Sequence, residues 1–188
     1  MMASSTASTG IHSGHVSHSG GVWEENDSEM SPSLACVKTV RFGSFKIGSP
    51  LGFGRQGTTF HGIWNGQQIA LKLFDTTKPG GSEAFEQEIE GYKHLSSTWG
   101  VLIPAPYFVC FAFGVAFLGM QLAESPKAGS HPEEWYSVVE ELEEKFRFRH
   151  LDVFTGDRDE MRNLMVLRRE DGSEQKVVID LEEYELLP

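Results

Sequence analysis

Disulfide pairing, zinc ligation and a positively charged face are all missing from this sequence. The only cysteines are Cys36 and Cys110. Two such residues supply neither a disulfide framework nor zinc-ligand spacing, so a reducing compartment is the simpler expectation. Basic residues are outnumbered, with 16 Lys and Arg against 27 Asp and Glu and a net charge of −11. Binding a nucleic-acid backbone calls for clustered Lys and Arg, so no nucleic-acid partner is expected. The N-terminus lacks an apolar h-region and therefore a signal peptide. The one long uncharged run, Val101 to Ala123, is interrupted by Pro104 and Pro106. What remains, Tyr107 to Met120, is too short for a membrane helix, rich in aromatics and valine, and has Gly114 near its middle. It reads as two buried strands joined by a tight turn. With neither signal peptide nor membrane span, a cytoplasmic location and no membrane partner are expected.

A length of 188 residues with 39% apolar content suits one domain plus tails. Residues 1–37 are dominated by Ser, Gly, Thr and His and hold too few apolar side chains to offset the entropy of ordering them. His12, His15 and His18 recur at threes, but no Cys or carboxylate stands close by, so a polar tail is expected there in preference to a metal site. Acidic residues gather around Glu133 to Glu144 and near the C-terminus, and a solvated helix face accounts for the first group.

From Val37 onward the pattern turns β-like. Phe42, Phe45 and Ile47 lead into LGFGRQG, followed by strands at Thr58 to Trp64 and Gln68 to Phe74. Asn65-Gly66 joins those two strands, and both positions tolerate positive φ, the mark of a two-residue hairpin. A helix is expected from an N-cap near Ser82 to about His94, with Phe85, Ile89, Tyr92 and Leu95 on one stripe. Glu88 falls on that same inward side, and a buried carboxylate needs a partner. Lys72, on the preceding strand, is the natural one. Residues 132–148 read as a second helix with Trp135, Val138, Val139, Leu142 and Phe146 on its apolar stripe. Beyond an irregular stretch from Leu151 to Arg162, strands are expected at Leu164 to Leu167 and Lys176 to Ile179, with a turn at Asp171-Gly172.

The chemistry-bearing pattern starts at Gly52, Gly54 and Gly57, a Gly-x-Gly-x-x-Gly run between two strands. Such a run forms a flap over nucleotide phosphates, because glycine lets the backbone turn tightly and approach a phosphate. In order, the chain then presents Lys72 in Ile69-Ala70-Leu71-Lys72, Glu88 on a helix, Thr155-Gly156-Asp157 with Asn163 beyond it, and Val178-Ile179-Asp180-Leu181-Glu182. This series resembles the protein-kinase-like superfamily. FEQEIEGYKHL followed by GVLIPAPYF is similar in wording to the small kinase-like domains of fungal genomes, and the resemblance covers about residues 42 to 183.

That resemblance implies an α+β, protein-kinase-like two-lobed fold. It would have a five-stranded antiparallel N-lobe sheet plus one helix over residues 38–123, and a reduced C-lobe over residues 124–188. It implies ATP and Mg²⁺ as cofactors. Gly52, Gly54, Gly57 and Ala70 would border the nucleotide, Lys72 would pair with its α- and β-phosphates, and Glu88 would hold Lys72. Met120 to Ala123 would be the linker meeting the adenine edge, chiefly through Gln121 and Leu122. Asn163 and Asp180 would hold the metal. Asp157 is the base candidate ahead of Asp152 and Asp159, because Asp152 stands too far before Asn163, and His150 matches a histidine ending the preceding helix. The implied activity is transfer of the ATP γ-phosphate to a hydroxyl, of a protein Ser or Thr in the first instance.

Several features depart from the family pattern. Asn163 follows Asp157 by one position more than usual, threonine replaces the signature histidine, Asp-Leu-Glu replaces Asp-Phe-Gly, and no activation segment or substrate platform follows Asp180. They support a second expectation, a pseudokinase or nucleotide-binding interaction module without transfer. A third is a fragment that folds poorly by itself.

Overall fold

The computed structural model describes residues 37–55, 57–152 and 163–188. His12, His15, His18 and Cys36 lie outside the described residues, as do Thr155, Gly156, Asp157 and Asp159.

The molecule is a mixed α+β structure built on a large sheet. Its strands are β1 (Lys38–Thr39), β2 (Phe45–Phe53), β3 (Gly57–Trp64), β4 (Gln67–Asp75), β5 (Pro106–Ala112) and β6 (Val115–Gln121), in the order β1-β5-β6-β4-β3-β2. The sheet therefore has six strands, where five antiparallel ones were expected. The addition is β1, which runs parallel to β5 with Lys38 opposite Phe108 and Thr39 opposite Val109. Two residues carry no readable period, and a parallel partner has to come from a distant part of the chain. By pairing there, β1 covers backbone groups that β5 would otherwise present along an open edge.

Turn chemistry sets the hairpins. Asn65 and Gly66 sit at φ 50° and 80°, and Trp64 pairs with Gln67 across them. Phe113 and Gly114, at φ 57° and 73°, turn β5 into β6. Two successive positive φ values match the right-handed twist of the flanking strands. The uncharged run is thus a hairpin in the sheet. Among the described residues no helix is long and apolar enough to cross a membrane.

Helix α1 (Gly81–His94) buries Phe85, Glu88, Ile89 and Tyr92 against the sheet, and Leu95 caps it. Its N-cap is Gly80 (φ 82°), two residues before the expected Ser82. Packing requires glycine in the first turn: a Cβ on Gly81 would collide with the carbonyl oxygen of Asp75 at the end of β4. The second helical segment is a 3-10 turn at Pro132–Trp135 followed by α2 (Tyr136–Phe146). Trp135, Val138 and Leu142 are buried, while Val139 and Phe146 pack at the margin. Arg147, at φ 55°, ends α2 and hands the chain to β7 (Phe148–His150).

The later strands β8 (Leu164–Arg168) and β9 (Glu174–Val178) form an antiparallel hairpin, with Leu164 opposite Val178 and Gly172 in the turn. Strand β10 (Tyr184–Leu186) returns to pair with β7. One apolar cluster joins α1, α2, β8 and β9 to the inner face of the sheet through Ile89, Tyr92, Leu118, Trp135, Leu142 and Val178. A second, on the other face, stacks Phe45 on Phe108 with centroids 5.0 Å apart. The first cluster carries β4, α1 and the end of β9 toward one another, and the charged residues of the cleft come from those elements.

Candidate functional site

Between the β2–β3 hairpin and the β8–β9 hairpin lies a cavity of about 840 Å³. Its apolar wall includes Leu51, Ala70, Met120, Leu122, Met165 and Ile179, and its charged residues include Lys72, Glu88, Asp152, Asp180 and Glu182. Gly52, Gly54 and Gly57 line it too, as do Gln121 and Asn163. Of the site residues expected from the sequence, Asp157 and its alternative Asp159 lie outside the described residues.

The three glycines contribute to the cavity in different ways. Gly52 and Gly54 are not among the described glycines with positive φ. A Cβ at Gly52 would meet nothing within 4 Å, so its lack of a side chain leaves room. Gly54 N–H donates to Gly57 O at 2.8 Å and closes the tip of the hairpin. At Gly57 the demand comes from close approach, since a Cβ there would stand 2.6 Å from the carbonyl oxygen of Leu73 on β4. Beside the tip, Arg55 forms an ion pair with Glu183, joining the flap to the segment after β9. Both partners are solvent-accessible, so the pair adds little stability.

Lys72 is the hub. Strand β4 holds it between Thr59 on β3 and Leu118 on β6 and aims its side chain toward α1. Its Nζ donates to Glu88 Oε2 at 3.1 Å and also to Asp180 Oδ1, and it lies 3.5 Å from Glu182 Oε2. The Lys72–Glu88 pairing expected from the sequence is therefore present. Burial by itself would lower the pKa of the Lys72 ammonium, but Glu88, Asp180 and Glu182 outweigh it and hold the value above 10.5. Desolvation pushes the Glu88 carboxyl up to about 7 against the attraction of Lys72, and Asp180 adds repulsion. Burial likewise raises Glu182. Three carboxylates face one ammonium, and Glu88 Oε1 and Glu182 Oε2 are buried with no hydrogen-bond partner.

Asp180 reaches this cluster through an unusual backbone, at φ 63°. A non-glycine residue there stores strain that the surroundings must hold. His150 supplies part of the hold: its Nε2–H donates to Ile179 O at 3.0 Å and Asp180 O at 2.8 Å. Leu181 supplies another part, buried where a Cβ on Gly91 of α1 would lie 3.0 Å from its own. With Leu181 directed into the core, its neighbours Asp180 and Glu182 both face the cleft.

Three further residues line or brace the cavity, of which Glu182 had no expected role. Glu182 follows Asp180 in Asp-Leu-Glu, but these residues lie in a turn after β9 and not on a strand, so no period announces that both line the cavity. His150 lies on β7 and not at a helix end. Asp152, the alternative to Asp157 as base, lines the cavity, and Asn163 Nδ2 donates to its carbonyl oxygen at 3.2 Å. Separation in sequence is a poor guide here, because Asp152 and Asn163 are in contact although they stand 11 positions apart. Gln121 lines the cavity but is tied to the start of β5: its N–H donates to Ala105 O at 2.8 Å, and its side-chain oxygen accepts from Ala105 N at 3.4 Å.

The donor set suits a hard cation. Asp180, Glu182 and Glu88 offer carboxylate oxygens within 4.8 Å of one another, and Asn163 lines the same cavity. All-oxygen sets of this kind select Mg²⁺, Mn²⁺ or Ca²⁺ over softer metals. No protein-family model matches the chain, and no curated protein matches it.

Proposed function

We propose that this protein is an ATP- and Mg²⁺-dependent phosphotransferase of the protein-kinase-like superfamily, with a two-lobed fold, that passes the ATP γ-phosphate to a hydroxyl acceptor. The observation that carries the reading is the buried Lys72–Glu88 pair at 3.1 Å, set under a glycine hairpin and beside Asp180 on one cavity. Phosphoryl transfer needs little covalent help from the protein, and positioning and charge neutralisation supply most of the acceleration. Lys72 would hold the phosphates and Glu88 would hold Lys72. Gly52 and Gly54 leave the flap free of side chains where phosphate oxygens would pass. Ala70, Met120 and Leu122 offer an apolar slot for a base, with the backbone beyond Gln121 at its edge. Asn163 and Asp180 would ligate Mg²⁺, which when bound neutralises phosphate charge. Asp157, which the sequence favours, would orient an acceptor hydroxyl, and Asp152, which lines the cavity, is the alternative.

Thermal denaturation with Mg-ATP tests this reading, since a ligand that binds only the folded state raises its melting temperature. Wild type should shift upward, and Lys72→Ala and Asp180→Ala should lose the shift. A folded wild type that does not shift would overturn it. Transfer to generic protein acceptors, with Asp152→Asn and Asp157→Asn compared, assigns the base as the variant that loses about 10²-fold or more.

A second reading has its own observation. Lys72 is already engaged by Asp180 and Glu182 as well as Glu88, so a nucleotide has to displace carboxylates to reach it. A nucleotide-binding module without transfer would shift with Mg-ATP and release no phosphate to any acceptor.

A further inference from the structure

Glu182 has no role in the reading above, yet it is placed where a cation is needed. Its side chain is 9% exposed, and that of Glu88 is completely buried. Each has one buried oxygen, Glu182 Oε2 and Glu88 Oε1, that accepts no hydrogen bond. A buried carboxylate oxygen left without a donor is costly, and surrounding groups usually satisfy it. Lys72 does so only in part. Its hydrogen bonds go to Glu88 Oε2 and Asp180 Oδ1, Glu182 Oε2 is ion-paired with Nζ at 3.5 Å without hydrogen-bond geometry, and Glu88 Oε1 has no donor. Fully ionised, three carboxylates and one ammonium leave two negative charges in a group in which Glu88 and Glu182 are buried and Asp180 is 27% exposed. One divalent ion would balance them.

Geometry supports the same conclusion. The three carboxylates present ligand atoms within 4.8 Å of one another, and Asp180 and Glu182 both border the cavity, through which an ion can enter and keep its remaining waters. Carboxylate oxygens with room for water are what Mg²⁺ and Mn²⁺ accept. We propose that Glu182 is a metal ligand of this cleft, sharing a divalent cation with Asp180, and that the ion binds before any nucleotide. This deepens the phosphotransferase reading of the same cleft, because it adds a protein ligand beyond Asn163 and Asp180.

The experiment is a titration of the full chain with Mn²⁺ and no nucleotide, following the electron paramagnetic resonance signal of free Mn²⁺, with Mg²⁺ as competitor. Wild type should bind Mn²⁺ saturably and Mg²⁺ should release it. Glu182→Gln should weaken binding about 10-fold or more, as loss of a direct ligand demands, and should melt no lower than wild type in the absence of metal. A metal-induced rise in melting temperature should follow the same order. Wild type without saturable binding, or Glu182→Gln binding equal to wild type, would overturn the proposal. If Glu182→Gln does not fold, Glu182→Asp decides: it retains the charge on a shorter arm, so weaker binding than wild type supports the assignment and equal binding refutes it. Since no nucleotide is present, this result is separate from the Mg-ATP shift, and either can fail alone.

Discussion

His150 Nε2 lies 2.8 Å from the carbonyl oxygen of Asp180, whose own backbone is left-handed at φ 63°. The tautomer follows from the partners. Asp152 N–H donates to His150 Nδ1 at 3.1 Å, so Nδ1 carries a lone pair and Nε2 carries the hydrogen. One neutral imidazole thus ties the backbone at Asp152 to that at Asp180, both of which border the cavity.

Stability should depend on pH through that ring. Burial lowers the His150 pKa below 6.5, outweighing the backbone carbonyls that favour its charged form. Because the folded value is the lower one, the stability His150 contributes is complete above about 6.5, the unfolded value, and is lost as pH falls toward the folded one. Glu88 works in the opposite sense. Its folded value is raised from 4.5 to about 7, so its contribution is complete below 4.5 and is lost as pH rises through about 7. A comparison of wild type with His150→Gln isolates the histidine. On going from pH 7 to pH 5.5 wild type should lose stability relative to the variant, by at most about 1.4 kcal/mol per pH unit for one proton. Parallel denaturation profiles across that range would count against a neutral, carbonyl-bound His150.

Removing the ammonium should be far worse than removing the pair. Lys72→Met leaves Glu88 buried beside Asp180 and Glu182 with no cation, and breaking a buried pair in this way costs about 3–5 kcal/mol. Lys72→Met combined with Glu88→Leu should recover most of that loss while remaining unresponsive to Mg-ATP. Urea denaturation of the two variants decides the point. A double variant as unstable as Lys72→Met alone would mean that Glu88 is not the group left stranded.

Two glycines of the flap should separate fold from site. Gly57→Ala places a Cβ against the Leu73 carbonyl, 2.6 Å away, and backbone cannot easily yield. A loss of about 1–3 kcal/mol is expected, as for overpacking in a tight contact. Gly52→Ala meets open space, so its stability should stay within about 0.5 kcal/mol of wild type. Its methyl would instead project into the flap and reduce the Mg-ATP melting shift. Equal denaturation midpoints for the two variants would contradict the close β3–β4 approach at Gly57.

Local chemistry made much of the fold readable in advance. Asn65-Gly66 and Gly114 mark hairpins because few residue types accept positive φ. The stripes of Phe85, Ile89 and Tyr92 and of Val138 and Leu142 mark helices because burial repeats with the helical period. Asp171-Gly172 announces β8 and β9 in the same way. Even the Lys72–Glu88 pair was accessible, since a carboxylate on an apolar stripe requires a partner and only one lysine preceded it on a buried strand.

The remaining features depend on which distant segments come together. Strand β1 acquires its parallel partner β5 from far along the chain, and β7 meets β10 through three residue pairs that have no pattern of their own. The need for Gly81 in the first turn of α1 was decided by contact with Asp75, and the need for Gly57 by contact with Leu73. Placement of Asp152 against Asn163, of His150 against Asp180 and of Glu182 against Lys72 also came only from packing. Sequence by itself determined the periodicities, turns and charged residue types, because these reflect interactions within a few residues. Tertiary structure alone decided which carboxylates share the Lys72 ammonium, because burial between β4, α1 and the end of β9 removes the water that would otherwise keep them apart.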